Sequence, residues 1–144
     1  MKILVINGPN INLLGIREPD IYGKLTYETM NEKISQEAKK IGAEVDFIQS
    51  NHEGEIIDAL HSAMEKYEGI VINPAAYTHY SLAIMDAIKA IEVPAVEVHL
   101  SNISTREEYR RKSVTAEACV GQISGMGYFG YVLGIMALQH KGKG

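Results

Sequence analysis

Three polar side chains interrupt a segment that otherwise has the composition of a buried strand. Residues 95–101 form an apolar run in which Glu97, His99 and Ser101 occupy every second position. Because side chains alternate across a strand, these three share one face. An unpaired carboxylate is costly to bury, and the imidazole two residues away is its natural partner. Such a carboxylate favours the charged ring and fixes its orientation, which suits a general acid. A purely structural Glu–His pair beneath a loop is the alternative.

A second group of reactive side chains lies in the segment 10–25, which has the composition of a long loop. Loops of this length in a compact domain are often functional lids. The segment contains Asn10, Arg17 and Tyr22. A free tyrosine has a pKa of about 10 and is a poor base at neutral pH, but a nearby guanidinium stabilises its phenolate. Arg17 is one candidate for that cation and Arg110 another, whereas a simple surface tyrosine is the alternative for Tyr22.

Further polar residues follow the predicted third strand. Asn73 ends that strand and precedes Pro74, so it is either a site residue or an ordinary turn residue. His79 stands at the predicted start of the third helix, where free N–H groups favour anions. Asp86 follows seven residues later, which predicts the same helix face for both side chains. A solvated polar stripe is the alternative for this pair.

The elements that must position these side chains alternate along the chain. Apolar runs bounded by turn residues predict strands at 3–6, 45–48, 70–72, 95–100 and 119–124. Helices are predicted over 27–41, 53–67, 78–91 and 128–140, with a short one near 105–110. Thr26 and Thr78 are the expected N-caps of two helices, and Ser50 with Glu53 fits a capping box.

This order predicts an α/β fold with a parallel sheet covered by helices on both faces. Five strands in one domain of 144 residues favour the flavodoxin-like three-layer sandwich, with strand order 2-1-3-4-5. Ligands of such folds bind at the carboxyl ends of the strands, beside the point where strand order reverses. That position would bring together Asn10, Asn73 and His99. We expect residues 1–144 to form a single domain.

Composition excludes several classes of function. The net charge is −4 and no basic run is present, so nothing favours a nucleic acid or membrane partner. The only cysteine, Cys119, cannot form an internal disulfide, and a reducing, cytoplasmic compartment is expected. The amino-terminal apolar run is too short for a signal peptide, and no segment approaches transmembrane length.

Two patterns that resemble cofactor motifs are given other interpretations. Residues 125–130 spell G-x-G-x-x-G, but they precede the last helix instead of following the first strand. We therefore expect them to allow tight packing of helix on strand, not to bind a dinucleotide. His79, Glu97 and His99 could supply metal ligands, but their spacing matches no zinc motif, and no metal is expected.

Several long motifs, in order and nearly end to end, resemble the type II 3-dehydroquinate dehydratases. They span residues 7–15, 17–23, 50–55, 73–79, 97–102 and 106–110. The resemblance implies a cofactor-free hydro-lyase of the shikimate pathway of aromatic amino-acid biosynthesis. It implies anti elimination of water from 3-dehydroquinate through an enolate, which gives 3-dehydroshikimate.

The resemblance also implies roles for residues of this chain. Tyr22 would remove the proton next to the ketone, with Arg17 favouring its phenolate. Asn10 would hold a water that stabilises the enolate oxygen. His99, oriented by Glu97, would protonate the departing hydroxyl.

The remaining implied roles concern binding and assembly. Asn73 and His79 would bind substrate hydroxyls with Arg110 beside them, and Leu100 and Ser101 would hold the carboxylate. Asp86 would reach the site of a neighbouring subunit in a dodecamer built as a tetramer of trimers. The chain departs from the family pattern at four positions: Tyr80, Met85, Ser104 and Tyr109.

Two rival functions are compatible with this class of fold. The first is a flavodoxin-like module that binds FMN or another small ligand. A flavin protein would be yellow when purified, and the first loop of this chain lacks a phosphate-binding glycine pattern. A receiver-like signalling domain would need acidic residues after strand 1 and an aspartate after strand 3. Those places hold Asn7-Gly8-Pro9 and Asn73-Pro74, so we discard that class.

Overall fold

A computed structural model describes the backbone of residues 1–16 and 25–143 and the side chains through residue 141. Five parallel strands form one sheet in the order β2-β1-β3-β4-β5. The strands are β1 (Lys2–Asn7), β2 (Glu44–Gln49), β3 (Gly69–Asn73), β4 (Ala95–His99) and β5 (Gly121–Ser124). The helices are α1 (Tyr27–Lys40), α2 (Glu53–Ser62), α3 (Leu82–Ala90) and α4 (Phe129–Lys143). The predicted fold class and strand order are therefore confirmed.

The sheet is covered on both faces because the central strands are apolar on both. On one face α1 and α4 pack against Ile3, Val5, Val71, Val96 and Val98. On the other face α2 and α3 pack against Leu4, Ile6, Ile70 and Ile72. Successive residues of β1 and β3 thus enter opposite cores, as a period of two requires. None of the helices in the described part of the chain combines the length and apolarity needed to span a bilayer.

One of the predicted helix caps is confirmed and two are wrong. Thr26 caps α1 and forms a capping box with Thr29. Ser50 does not form a capping box with Glu53, because its hydroxyl donates to Glu55 at 2.6 Å. Thr78 is not an N-cap either, since residues 75–79 form a 3-10 turn and Ser81 caps α3.

The predicted length of two helices also needs correction. α2 ends at Ser62 and continues as a 3-10 turn, and the predicted short helix near 105–110 is a pair of 3-10 turns. His79 therefore precedes α3 while Asp86 lies within it, so the predicted shared helix face is wrong. Tertiary hydrogen bonds compete with the helix here, because the Thr78 hydroxyl is bonded to Ser113 and Thr115.

The first two glycines of the G-x-G-x-x-G segment lie in a turn and adopt positive φ. Gly125 and Gly127 have φ of 90° and 57°, which side chains rarely tolerate. The expected tight packing of helix on strand occurs one turn later, where a Cβ on Gly134 would lie 3.3 Å from Val71. The turn itself holds the end of β4, because the N–H groups of Gly125 and Gly127 donate to the carbonyls of His99 and Leu100.

Candidate active site

A cleft opens at the carboxyl ends of β1, β3 and β4. It lies where the sheet order reverses between β1 and β3, the usual ligand position in this architecture. Residues from four segments line it: Pro9, Asn10 and Ile11; Asn73, Ala75, Ala76 and His79; His99, Leu100, Ser101 and Ile103; Arg106 and Arg110. Seven residues predicted from the sequence are thereby brought together, namely Asn10, Asn73, His79, His99, Leu100, Ser101 and Arg110.

The last residue of β4 places an imidazole in the cleft with a carboxylate behind it. His99 Nε2 lies 2.9 Å from Glu97 Oε2, and both side chains are buried. Three more side chains donate to the same carboxylate: Ser113 at 2.6 Å, Gln122 at 2.8 Å, and Thr115. A fully bonded carboxylate cannot easily rotate, so it holds the ring of His99 in one orientation.

The pKa of the Glu97 carboxyl reflects two opposing effects. Burial raises it by disfavouring the charged form, but the hydrogen bond and charge of His99, with the Ser113 and Thr115 hydroxyls, outweigh burial. The resulting pKa is about 2, compared with an ordinary 4.5. Glu97 is therefore a carboxylate throughout the neutral range and does not itself supply protons there.

Glu97→Gln should make the stability of the protein less sensitive to acid. A carboxyl whose pKa is lower in the folded state stabilises above its ordinary pKa, and this stabilisation is lost as pH falls towards 2. A shift of this size corresponds to about 3 kcal/mol. We expect the gap in unfolding temperature between wild type and Glu97→Gln to narrow between about pH 5 and pH 2. A gap independent of pH would contradict the ionised carboxylate.

The segment after β4 is held by the segment after β5. The Ser124 hydroxyl donates to the Ser101 carbonyl and accepts from the Ile103 N–H, both at 3.1 Å. With the two glycine N–H groups already described, these bonds fix the backbone of residues 99–103. The floor of the cleft is therefore preorganised by the β5–α4 turn.

Basic side chains also line the cleft. Arg106 donates to the Ser101 hydroxyl at 3.3 Å. Arg110 lies 3.3 Å from Glu107 and stacks on the Tyr109 ring, while His79 Nδ1 lies 2.8 Å from the Lys112 carbonyl. A guanidinium pair beside two imidazoles favours an anionic ligand.

Asn10 is held at the rim of the cleft in an uncommon backbone conformation. Its φ is 69°, in the left-handed region, and its N–H donates to Asn51 Oδ1 at 3.0 Å. Asparagine tolerates this region better than most residues. The Asn51 amide thus fixes Asn10 at the carboxyl end of β1.

Four of the predicted site residues are not in the described cleft lining, for different reasons. Glu97 lies behind His99 and acts through it. Asp86 is exposed on α3 and does not line the cleft. Tyr22 and Arg17 lie outside the described residues, so their predicted roles stay predictions.

Sequence reasoning missed several residues of the site. Ser113, Thr115 and Gln122 bond to Glu97, and Arg106 lines the cleft. Gln122 carried a signal, because it is a polar residue inside the predicted fifth strand. Arg106 belongs to the family motif at residues 106–110, but the sequence suggested no role for it. Nothing local marks Ser113 or Thr115. Within residues 1–16 and 25–143, no cluster of three or more His, Cys, Asp or Glu could hold a metal ion.

Fold and site together define an α/β protein with a carboxylate-oriented histidine at the strand ends, in a cleft that two arginines also line. The family model for class II dehydroquinases matches residues 1–139. The chain belongs to this family, and the prediction made from its motifs is confirmed.

Relatives and solved structures agree along the whole chain. A 3-dehydroquinate dehydratase of Clostridium acetobutylicum is 67% identical over 140 residues, covering 97% of each chain. That of Caldicellulosiruptor bescii is 60% identical over 139 residues, covering 96% of each. The crystal structure of a type II dehydroquinase from Butyrivibrio crossotus superposes with a TM-score of 0.94 at 52% identity, covering 96% of this chain and 97% of that one. The family decides against the alternative of an FMN-binding module.

Proposed function

We propose that this chain eliminates water from 3-dehydroquinate in the anti sense through an enolate, using Tyr22 as base and His99 as acid. The activity follows from the family: the chain is a hydro-lyase that acts in the shikimate pathway. The observation that carries the acid half is the bond between His99 and the buried, ionised Glu97 at the floor of the cleft.

The acid half of the reaction requires a proton at the leaving hydroxyl, because hydroxide is a poor leaving group. Glu97 binds Nε2 of His99, so Nδ1 is the ring nitrogen left to face a ligand. The buried carboxylate keeps the ring in one orientation before and after the proton is transferred. The leaving oxygen takes the proton and departs as water.

The base half requires a group that removes the proton next to the ketone and a group that stabilises the enolate. We assign proton removal to Tyr22, with Arg17 favouring its phenolate. Asn10, fixed at the cleft rim by Asn51, is placed to hold the water that stabilises the enolate oxygen.

The proposed binding residues lie in the same cleft as His99. Asn73, His79 and Arg110 would contact substrate hydroxyls, and all three line the cleft. The N–H groups of Leu100 and Ser101, with the Ser101 hydroxyl, would hold the carboxylate. The fixed backbone of residues 99–103 and the adjacent Arg106 support an anion at this position.

The test of the function is a direct assay for the product. Elimination conjugates the ring double bond with the ketone, so 3-dehydroquinate mixed with the purified protein should develop an ultraviolet absorbance. A heat-denatured sample of the same protein is the control for spontaneous dehydration. If the native protein produces no signal above that control, the proposed function is wrong.

The assembly is part of the proposal. We infer a dodecamer of four trimers in which Asp86 of one subunit completes the site of its neighbour. The support is that Asp86 is exposed on α3 and outside the cleft of its own chain. Exposed apolar side chains stand near it, including Tyr80 and Leu82.

Subunit mixing should reveal whether Asp86 acts on a neighbouring site. Asp86→Ala and His99→Ala each remove one residue of every site and should both be nearly inactive. Coexpression in equal amounts would pair an intact His99 with a neighbour's intact Asp86 in about a quarter of the sites. We expect activity at about that fraction of wild type. Coexpressed subunits no more active than either variant alone would contradict the shared site.

We also propose that residues 1–144 act as one domain and that the protein is cytoplasmic. The continuous sheet and the two cores that cover it support the single domain.

A further inference from the structure

A buried tyrosine links the ends of two strands beneath the cleft. The hydroxyl of Tyr131, on α4, donates to Asn7 Oδ1 at 2.5 Å and accepts from Asn73 Nδ2 at 2.9 Å. Asn7 and Asn73 are paired in register as the last residues of β1 and β3. Tyr131 and Asn7 are fully buried, whereas Asn73 lines the cleft. One hydroxyl thus connects the helix layer to a residue of the site.

A backbone group determines the direction of this chain of hydrogen bonds. The N–H of Ala75 donates to Asn73 Oδ1 at 3.1 Å, and a backbone N–H can only donate. The Asn73 amide oxygen must therefore face Ala75, which turns its nitrogen towards Tyr131. The tyrosine oxygen accepts that N–H, so its own hydrogen is available for the carbonyl oxygen of Asn7.

The same bonds support an unfavourable backbone conformation at the cleft wall. Ala75 has a φ of 54°, in the left-handed region that costs a residue with a Cβ about 1 kcal/mol or more. Asn73 Oδ1 holds the Ala75 N–H in this turn. If the amide rotated by half a turn, it would lose this bond, and the Tyr131 hydroxyl could bond to Asn73 only by giving up its donation to Asn7.

We propose that Tyr131 is a positioning residue that orients the Asn73 amide so that an N–H, not the carbonyl oxygen, faces the substrate. With Oδ1 bonded to Ala75 and one N–H bonded to Tyr131, Asn73 keeps one N–H hydrogen. That hydrogen can bind a hydroxyl or carboxylate oxygen of the ligand. The inference rests on the proposed function of Asn73 and adds a residue that does not contact the substrate.

Tyr131→Phe removes only the hydroxyl and tests this role. A hydrogen bond made equally in the bound substrate and the transition state changes KM and leaves kcat unchanged. We expect KM for 3-dehydroquinate to rise about tenfold and kcat to stay within about twofold of wild type. A merely structural role would reduce the fraction of active protein, which lowers kcat at constant KM.

Tyr67→Phe is the matched control. Tyr67 precedes β3 at the amino-terminal end of the strands, opposite the end where the cleft lies, and its hydroxyl donates to Asp46 at 2.6 Å. This variant also loses one hydroxyl hydrogen bond, so thermal unfolding of the two variants compares their costs in stability. We expect Tyr67→Phe to leave both kinetic parameters unchanged.

A double variant distinguishes loss of the Asn73 amide orientation from a general loss of packing in the protein. In an Asn73→Ala background there is no amide to orient, so Tyr131→Phe should change kcat/KM by less than about twofold. Additive losses would overturn the proposal, as would an unchanged KM in the single variant. If Asn73→Ala does not fold, the KM and kcat of Tyr131→Phe alone still test the positioning role of Tyr131. A wild-type protein without activity would refute the proposed function instead, so the two failures are distinct.

Discussion

Replacing His99 by alanine should lower kcat for 3-dehydroquinate by about 10³-fold, because the variant has no acid for the departing hydroxyl. The ring lies in the cleft against a carboxylate that three further side chains hold in place, so the variant loses a proton donor of fixed geometry. Steady-state kinetics at neutral pH measure the effect. His61→Ala is the matched control, since His61 lies in the last turn of α2, outside the cleft lining.

The same variant can distinguish loss of the acid from collapse of the site. If the enolate forms before the hydroxyl leaves, proton removal next to the ketone does not need His99. We therefore expect His99→Ala to continue exchanging that proton with deuterium from heavy water, even though almost no product forms. A kcat within about tenfold of wild type would contradict the role of His99 as acid.

Replacing Tyr22 by phenylalanine should have the second large effect and should remove the other half of the reaction. Loss of a general base reduces turnover by about 10² to 10⁴-fold. The variant keeps the ring and lacks only the hydroxyl, so we expect substrate to bind and remain unconverted. Titration calorimetry with 3-dehydroquinate measures the binding, and the ultraviolet assay measures turnover.

The two variants make opposite predictions for hydrogen exchange. Tyr22→Phe should abolish deuterium exchange next to the ketone, whereas His99→Ala should retain it. Tyr27→Phe, at the first residue of α1, is the matched control for loss of one tyrosine hydroxyl nearby in the chain. Exchange at the wild-type rate in Tyr22→Phe would show that another group is the base.

The assignments of His99 as the acid and Tyr22 as the base have different support. His99 is supported by its spacing from Glu97, by the geometry of the pair and by the family. Tyr22 is supported by the family motifs, because a single tyrosine in a predicted loop carries little information of its own. We propose that the base is Tyr22 together with Arg17, whose charge would make the phenolate accessible.

The sequence alone determined the layered architecture and the core of the site. Near-continuous apolar strands alternating with helices require a covered parallel sheet, and right-handed crossovers leave few strand orders. The period of two along β4 placed Glu97 and His99 on one face, because that relation depends on neighbouring residues only. The long motifs then identified the family.

Only the tertiary structure decided which distant groups support the site. Ser113, Thr115 and Gln122 reach Glu97 from 16, 18 and 25 residues away, and Tyr131 meets Asn7 across 124 residues. Thr78 and Ser50 fit helix caps by local rules but bond elsewhere. The physical reason is that hydroxyl and amide groups have many acceptable partners, and the one that each binds depends on where the crossover connections bring the chain.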